Sequence, residues 1–142
     1  MRDFRKYKYI RENVILIVSN SSNDGASGLS KDDSQMALAR QHLYQISDML
    51  FSSNPKDIEC FLGKSSDSSK EIVEKYNALK PCVHGCDAHE LDRLFAPAQQ
   101  RYCWIKADPT FNGLKQVIYA PEARVRISAI MPETKASLYM IH

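Results

Sequence analysis

The distribution of apolar and polar residues along the chain predicts strands and helices in alternation. Residues 14–20, VILIVSN, form a continuous apolar run of strand length, which is typical of a strand with both faces covered by helices. Residues 33–51 carry apolar side chains near helical spacing, so we expect a helix there with Asp33 or Ser34 as its N-cap. A second short strand is expected at residues 58–63, IECFLG.

The second half of the chain continues this alternation. A helix is expected over residues 64–80, with Ser68 or Ser69 as its N-cap and Pro81 as its stop. The further predicted elements are a short strand at 82–85, one or two helical turns at 89–95, a strand at 101–108, a helix at 109–120 that begins with proline, and a strand at 123–128.

This order predicts one α/β domain with mostly parallel strands. In such folds, the loops that follow the carboxyl ends of the strands carry the chemistry. Two loops of this kind are rich in polar and ionisable residues, namely 20–28 (NSSNDGASG) and 84–89 (HGCDAH). These two loops are therefore the candidates for a functional site.

Composition narrows the class of protein. With 142 residues, of which 44% are hydrophobic, the chain can bury the core of one globular domain, and its net charge of +2 does not predict nucleic-acid binding through bulk charge. No apolar run approaches the roughly 20 residues needed to span a bilayer, and the N-terminus lacks the apolar region of a signal peptide. We therefore expect a cytoplasmic protein. Its cysteines are then reduced thiols, at Cys60, Cys82, Cys86 and Cys103.

Asp87 and His89 place a carboxylate and an imidazole two residues apart, just after a predicted strand. In an extended segment these side chains point to the same side, so both could bind one cation. A carboxylate with a neutral imidazole suits Zn, Mn or Fe, and a catalytic site needs further ligands and an open position for water. The competing interpretation is ordinary capping and hydrogen bonding by an isolated Asp-x-His.

Neighbouring residues offer further alternatives. Cys82, His84, Cys86 and His89 could form a small structural zinc site, although zinc sites usually take two ligand pairs that a loop separates. Cys82 and Cys86 could instead form a redox pair. His84 is either a third ligand of a catalytic metal or a histidine that supports the ligands from the end of the strand.

The loop after the first strand is a candidate phosphate site. Hydroxyl and backbone N–H groups could bind a phosphate there, from Ser21, Ser22, Gly25 and Gly28. A solvated connection between a strand and a helix would have the same composition, so both interpretations stay open.

Aromatic residues occur in two further contexts. In residues 2–11 they are interleaved with lysine and arginine, a pattern that could follow a nucleic-acid backbone but that an amphipathic first helix explains as well. In the second half of the chain, we expect Trp104, Phe111 and Tyr119 to lie in the core rather than to stack on bases.

Residues 81–95, PCVHGCDAHELDRLF, resemble the Gly-Ser-Asp-Ala-His segment near the end of PHP (polymerase and histidinol phosphatase) domains. Residues 101–127 are similar to the stretch that trails this motif, above all in proteins where a PHP domain precedes an AAA-like ATPase associated with DNA repair. The segments IVSNSSNDGASGL, MLFSSNP and FLGK also look like that subgroup. The resemblance divides the chain into a basic lead (1–12), the C-terminal part of a PHP-like domain (13–128) and an extended tail (129–142).

The resemblance implies a fold and an activity. The fold is a distorted β/α barrel, of which this chain would form the C-terminal part, with a metal cluster at the carboxyl ends of its strands. The activity is that of a metal-dependent phosphoesterase, a hydrolase in which a metal-bound hydroxide attacks phosphate esters, with nucleic acid as a candidate substrate. Asp87 and His89 would be two ligands of a divalent cation (Mn, Zn or Fe).

The chain departs from the family pattern at several points. Cys86 stands where the family usually has serine, although a thiol can fill that space. No His-x-His pair occurs, whereas PHP domains open with one, and no Gly-x-x-x-x-Gly-Lys-[Ser/Thr] loop of an ATPase occurs either. We therefore expect a truncated domain, weak or inactive alone, that pairs with a chain carrying the missing barrel half or with an ATPase domain. The alternative is a non-catalytic interaction or structural module, or a degenerate remnant.

Overall fold

The computed structural model of the chain describes residues 8–20, 26, 34–86 and 88–133. The described helices are α1 (Lys8–Asn13), α2 (Ser34–Ile46), α3 (Pro55–Phe61), α4 (Ser69–Tyr76), α5 (Phe111–Tyr119) and α6 (Pro121–Arg124). The described strands are β1 (Ile17–Ser19), β2 (Met49–Phe51), β3 (Cys82–Val83), β4 (Tyr102–Ile105) and β5 (Val125–Ser128). Two short 3₁₀ turns lie between β3 and β4, at Leu91–Arg93 and Ala98–Gln100.

The first three strands form a parallel sheet in the order β1-β2-β3, which confirms the predicted mixed α/β class. Val18 lies beside Leu50, and Leu50 lies beside Cys82. The last two strands, β4 and β5, pair with each other in antiparallel orientation and contact β3 through β5. The strands of the described residues are thus parallel in one sheet and antiparallel in the other.

Apolar side chains cover both faces of the parallel sheet at β2 and β3. The prediction that the first strand is covered on both faces is wrong, since Ile17 and Ser19 of β1 are exposed. On one face, Leu50 and Cys82 pack against Tyr44, Phe61 and Ile72 of helices α2, α3 and α4. The rings of Tyr44 and Phe61 meet edge to face, with their centroids 4.9 Å apart. Each fully buried leucine or isoleucine of this cluster contributes about 1.5–3 kcal/mol of transfer free energy.

The opposite face of the sheet packs against helix α5. Met49 and Val83 contact the fully buried Val117 there, because alternate residues of a strand point to opposite faces. Thr110 caps this helix by accepting a hydrogen bond from the backbone N–H of Gly113, at 3.0 Å. The helix therefore begins one residue after Thr110, and Pro109 lies before it rather than in its first turn.

Two predicted elements between residues 47 and 63 are wrong. The strand expected at 58–63 lies mostly within helix α3, and the true second strand, β2, lies inside the stretch predicted to prolong helix α2. Helix α2 ends at Ile46, and the Ser47 hydroxyl donates to the carbonyl of Tyr44 at 3.0 Å. Helix α3 begins after Asn54, whose side chain accepts from the N–H of Lys56.

Helix α4 begins as predicted but ends earlier, at Tyr76, where Asn77 adopts the left-handed conformation, and not at Pro81. Ser68 and Glu71 form a capping box at the start of α4, in which each side chain bonds the backbone N–H of the other residue. The Ser68 hydroxyl and the Ser68 backbone N–H both donate to the Glu71 carboxylate, and these two bonds hold the pKa of that carboxyl below its ordinary value.

The expectation that Phe111 and Tyr119 lie in the core is wrong, since these residues are 42% and 73% exposed. Both lie on the outward side of α5, whose inward side is occupied by Val117. Trp104, expected in the core as well, is half-buried and belongs to neither hydrophobic core cluster of the described residues.

The amino edge of the parallel sheet contains a buried lysine. Lys80 is 2% exposed, and its ammonium donates to the carbonyl of Ser47 at 2.7 Å. This bond joins the segments that precede β2 and β3, so the lysine supports the packing of the edge that lies opposite the strands' carboxyl ends.

Candidate functional site

Three polar residues follow the three parallel strands at one edge of the sheet. Asn20 comes directly after β1, Ser52 directly after β2, and His84 directly after β3. The N–H of Asn20 donates to the carbonyl of Phe51 at 3.1 Å, and the N–H of Ser52 donates to the carbonyl of Val83 at 3.0 Å. Because the strands are parallel, this carboxyl edge is where an α/β sheet usually carries its chemistry.

A hydrogen-bonded network joins the ends of β1 and β2. One oxygen of the Asp57 carboxylate, Oδ2, accepts from the Asn20 amide at 3.0 Å and from the Ser52 hydroxyl at 2.7 Å. The hydroxyl of Tyr44 in turn donates to the amide oxygen of Asn20. Asn20, Ser52 and Tyr44 are all buried, whereas Asp57 is half-buried. The network therefore places a carboxylate at the carboxyl edge and fixes it from three elements.

Burial and nearby charges determine the protonation state of Tyr44 in this network. Burial raises the pKa of the Tyr44 hydroxyl to about 12, with the nearby positive charge of Arg40 acting in the opposite direction. Tyr44 therefore stays a neutral donor to Asn20 throughout the physiological range. The Ser52 hydroxyl also accepts from the N–H of Asn54, at 3.2 Å. Since Asn54 is the N-cap of α3, this bond joins the start of the helix that carries Asp57 to the end of β2.

Sequence reasoning missed the Asn20–Asp57 network. The two residues are 37 positions apart, and the predicted strand at 58–63 left Asp57 without any role. A signal was present in the polar stretch SSNPKD, which follows the buried Met49 and Leu50 and contains the serine, the cap and the carboxylate.

The segment after β3 contains the predicted metal ligands. His84 lies at the carboxyl edge with its ring 6.3 Å from the ring of Phe51, and its Nε2 atom is buried. A buried ring nitrogen is compatible with both interpretations of His84, as a third ligand and as a supporting histidine, so both stay predictions. His89 is exposed, whereas Asp87 lies outside the described residues.

The cysteines near this segment behave as buried thiols. Burial raises the pKa of the Cys82 thiol to about 12, and the negative charge of Asp57 acts in the same direction. Burial also raises the pKa of the Cys103 thiol, against a hydrogen bond with the backbone of His84. Cys82 and Cys86 are free cysteines, and a thiol held so firmly in its neutral form is a poor redox nucleophile.

The part of the chain that the structure describes contains no group of three His, Cys, Asp or Glu side chains arranged to hold a metal ion. Cys82, His84, Cys86 and His89 are all described, so the alternative of a four-ligand structural zinc site finds no support there. The pair of Asp87 and His89 is not covered by this finding, because Asp87 is not described.

The predicted phosphate loop also lies outside the described residues, at Ser21, Ser22, Gly25 and Gly28. Ala26 is the described residue of this loop, and it is buried in the same core cluster as Tyr44 and Leu50. The chain therefore returns to the core of the domain between β1 and α2.

No protein-family model matches the chain, and neither a curated protein nor a solved structure matches it significantly. The family resemblance of residues 81–127 therefore stays a prediction. Within residues 8–20, 26, 34–86 and 88–133, none of the helices has the length and apolar character that crossing a membrane requires.

Proposed function

We propose that the chain is the C-terminal part of a PHP-like, metal-dependent phosphoesterase domain. The observation that supports this proposal most directly is the location of His84, which follows β3 at the carboxyl edge of the parallel sheet and comes three residues before Asp87 in the sequence. Metal-dependent hydrolases built on parallel strands keep their ligands at that edge. The resemblance of residues 81–127 to the last PHP motif supplies the reaction class.

The residues that would hold a cation are Asp87 and His89. A carboxylate oxygen and an imidazole nitrogen suit Mn, Zn or Fe, so the donor set fits the group. A bound divalent cation supplies Lewis-acid polarisation of a phosphate ester. The chain's own contribution would be to orient these ligands from the end of β3, where the ring of His84 lies 6.3 Å from the ring of Phe51.

The Asn20–Asp57 network fits the same proposal. It fixes a half-buried carboxylate at the ends of β1 and β2, on the edge that also holds His84. A carboxylate held by two donors is a positioned hydrogen-bond acceptor, which suits a residue that supports a site beside it. The barrel itself is inferred from the resemblance, since helices on both faces of three parallel strands also occur in open sheets.

Metal content tests this proposal. In equilibrium dialysis against Mn²⁺ below saturation, we expect the chain to bind the ion and the variants Asp87→Ala and His89→Ala to bind at least about tenfold less, because each loses a ligand. Mass spectrometry of the metal measures this ratio. The variant His42→Ala is the matched control, since it removes an exposed histidine of helix α2. Equal metal content in all four proteins would contradict the proposal.

A second candidate function is a non-catalytic module that binds a partner chain through the β1 edge. The register of β1 against β2 turns the backbone groups of Ile17 and Ser19 away from β2, and no described strand pairs with that edge. Val14, Leu16 and Ile17 are 50%, 38% and 37% exposed there. An exposed apolar strand edge favours strand addition by another chain, such as one that carries complementary barrel strands. Equal metal content in the parent chain and in the three variants would favour this second function.

A further inference from the structure

The antiparallel pair β4–β5 has one face packed on the core and one face turned outward. Cys103 and Ile127 lie opposite each other in the register and pack against the core clusters. Trp104 lies opposite Arg126, and Tyr102 lies opposite Ser128. Since alternate residues of a strand point to opposite faces, Tyr102, Trp104 and Arg126 share the outer face.

The two aromatic rings of this outer face form a fixed platform. The centroids of Tyr102 and Trp104 are 6.0 Å apart, with 47° between the ring planes. The indole N–H of Trp104 donates to the carbonyl of Ser128 at 3.1 Å, which fixes the orientation of the ring. Tyr102 is 37% exposed, so the platform is open to a ligand on one side.

Basic side chains surround this platform. A groove of about 420 Å³ contains Trp104 together with Lys106, Arg124 and Arg126, and Met131 and Pro132 form part of its wall. Such a volume is in the range of small-ligand sites. The guanidinium of Arg124 donates to the backbone carbonyl of Lys106 at 3.0 Å, which fixes this cation at the end of β4.

The charge of the groove is positive despite two acidic residues in its lining. Those residues are Glu122 and Glu133. The carboxylate of Glu122 forms an ion pair with Lys64 at 3.1 Å, which offsets its charge. Lys106, Arg124 and Arg126 then outnumber Glu133, so the groove favours an anion beside an aromatic surface.

We propose that this aromatic–basic face binds single-stranded nucleic acid. An unpaired base stacks on Trp104 and Tyr102, and the flanking phosphates contact Arg126 and Lys106. Flat aromatic surfaces next to cations are the combination that single strands require, because every base has a face to stack while every phosphate carries a charge. Paired bases in a duplex are already stacked on each other and cannot use the platform. The proposal rests on this face alone and does not depend on the metal site.

Fluorescence of Trp104 tests the proposal directly, since the chain has one tryptophan. We expect a short oligo(dT) strand to quench this fluorescence saturably at low salt with chelator present. Tyr102→Ala should weaken binding by about fivefold or more, because it removes one stacking surface. Arg126→Ala should weaken it about tenfold and lower the slope of log affinity against log salt by about 0.7.

Two controls make the outcome decisive. Lys70→Ala removes an exposed lysine of helix α4, outside this face, and should leave affinity and quenching unchanged. Circular dichroism checks that each variant is folded, and Arg126→Lys should restore most of the affinity. Absence of quenching, equal losses in Lys70→Ala and Arg126→Ala, or equal quenching by a duplex of the same length would each overturn the proposal. Quenching by an acidic peptide but not by oligo(dT) would overturn it in favour of a protein partner.

Discussion

Replacing Asp57 by alanine is expected to lower the free energy of unfolding by about 2–4 kcal/mol, because it leaves two buried donors without their acceptor. The amide of Asn20 and the hydroxyl of Ser52 both donate to the same Asp57 oxygen, and these residues are only 5% and 7% exposed. A buried donor has lost its hydrogen bonds to water, and without its protein acceptor no other bond offsets that desolvation cost. Urea denaturation of the two proteins at neutral pH measures the difference.

The matched control for this substitution is Asp57→Asn. Asparagine keeps one carbonyl oxygen that can accept both bonds, and it replaces the other carboxylate oxygen by an uncharged NH2 group, so its destabilisation should be less than half of that caused by alanine. Equal effects of both substitutions would mean that charge, rather than the two hydrogen bonds, decides the contribution of Asp57. A loss below about 0.5 kcal/mol in Asp57→Ala would contradict the network, since surface substitutions fall in that range.

Stability is expected to fall steeply as the pH rises from 9 towards 12. Burial raises the pKa of the Cys82 thiol from 9.0 to about 12 and that of the Tyr44 hydroxyl from 10.0 to about 12. The unfolded chain releases these protons near pH 9 and 10, whereas the folded chain keeps them until about 12. The contribution of each neutral group is therefore complete below its unfolded pKa and is lost as the pH rises towards its folded pKa.

The size of this alkaline loss is on the order of a few kcal/mol for Cys82. Urea denaturation at pH 8, 9.5 and 10.5 measures it, and Cys82→Val should flatten the decline, because valine fills a similar volume and does not titrate. Cys86→Val, which alters a half-buried thiol, serves as the control. The same burial predicts that Cys82 resists thiol reagents in the native protein. Identical pH profiles for Cys82→Val and the parent chain would contradict this account.

Local signals in the sequence predict the elements with strong caps and long patterns. The capping box of Ser68 and Glu71 marks the start of α4 because both partners lie within one turn, so no tertiary contact is needed to form it. The apolar run before Asn20 predicts the strand β1, although Ile17 and Ser19 are exposed and the strand is not covered on both faces.

Local sequence patterns do not predict the elements whose conformation depends on tertiary contacts. Met49, Leu50 and Phe51 prolong the helical spacing of α2, yet they form β2 because burial of Met49 and Leu50 between two helical layers outweighs that local pattern. The run from Ile58 to Phe61 is apolar enough for a strand, but the Asn54 cap and Pro55 start a helix there. A short apolar run is compatible with both structures until its neighbours are known.

Some residues of the candidate site can likewise be predicted from the sequence, whereas others are brought together only by the fold. The motif of Asp87 and His89 is visible because its residues are adjacent in sequence, and it directs attention to the end of β3. The Asn20–Asp57 network is not visible, because the fold alone brings its members together across 37 residues. The aromatic–basic face is equally hidden, since Trp104 and Arg126 meet only through the antiparallel pairing of β4 with β5.

The most direct test of the central claim is to locate a bound cation on the molecule. Substoichiometric Mn²⁺ broadens the amide signals of nearby residues in a ¹H–¹⁵N correlation spectrum. The account predicts that the signals of Asn20, Ser52, His84 and His89 broaden first and that the broadening disappears in Asp87→Ala. Broadening centred on Ser47 and Lys80, at the opposite edge of the sheet, or broadening unchanged by Asp87→Ala would contradict a metal site at the carboxyl edge.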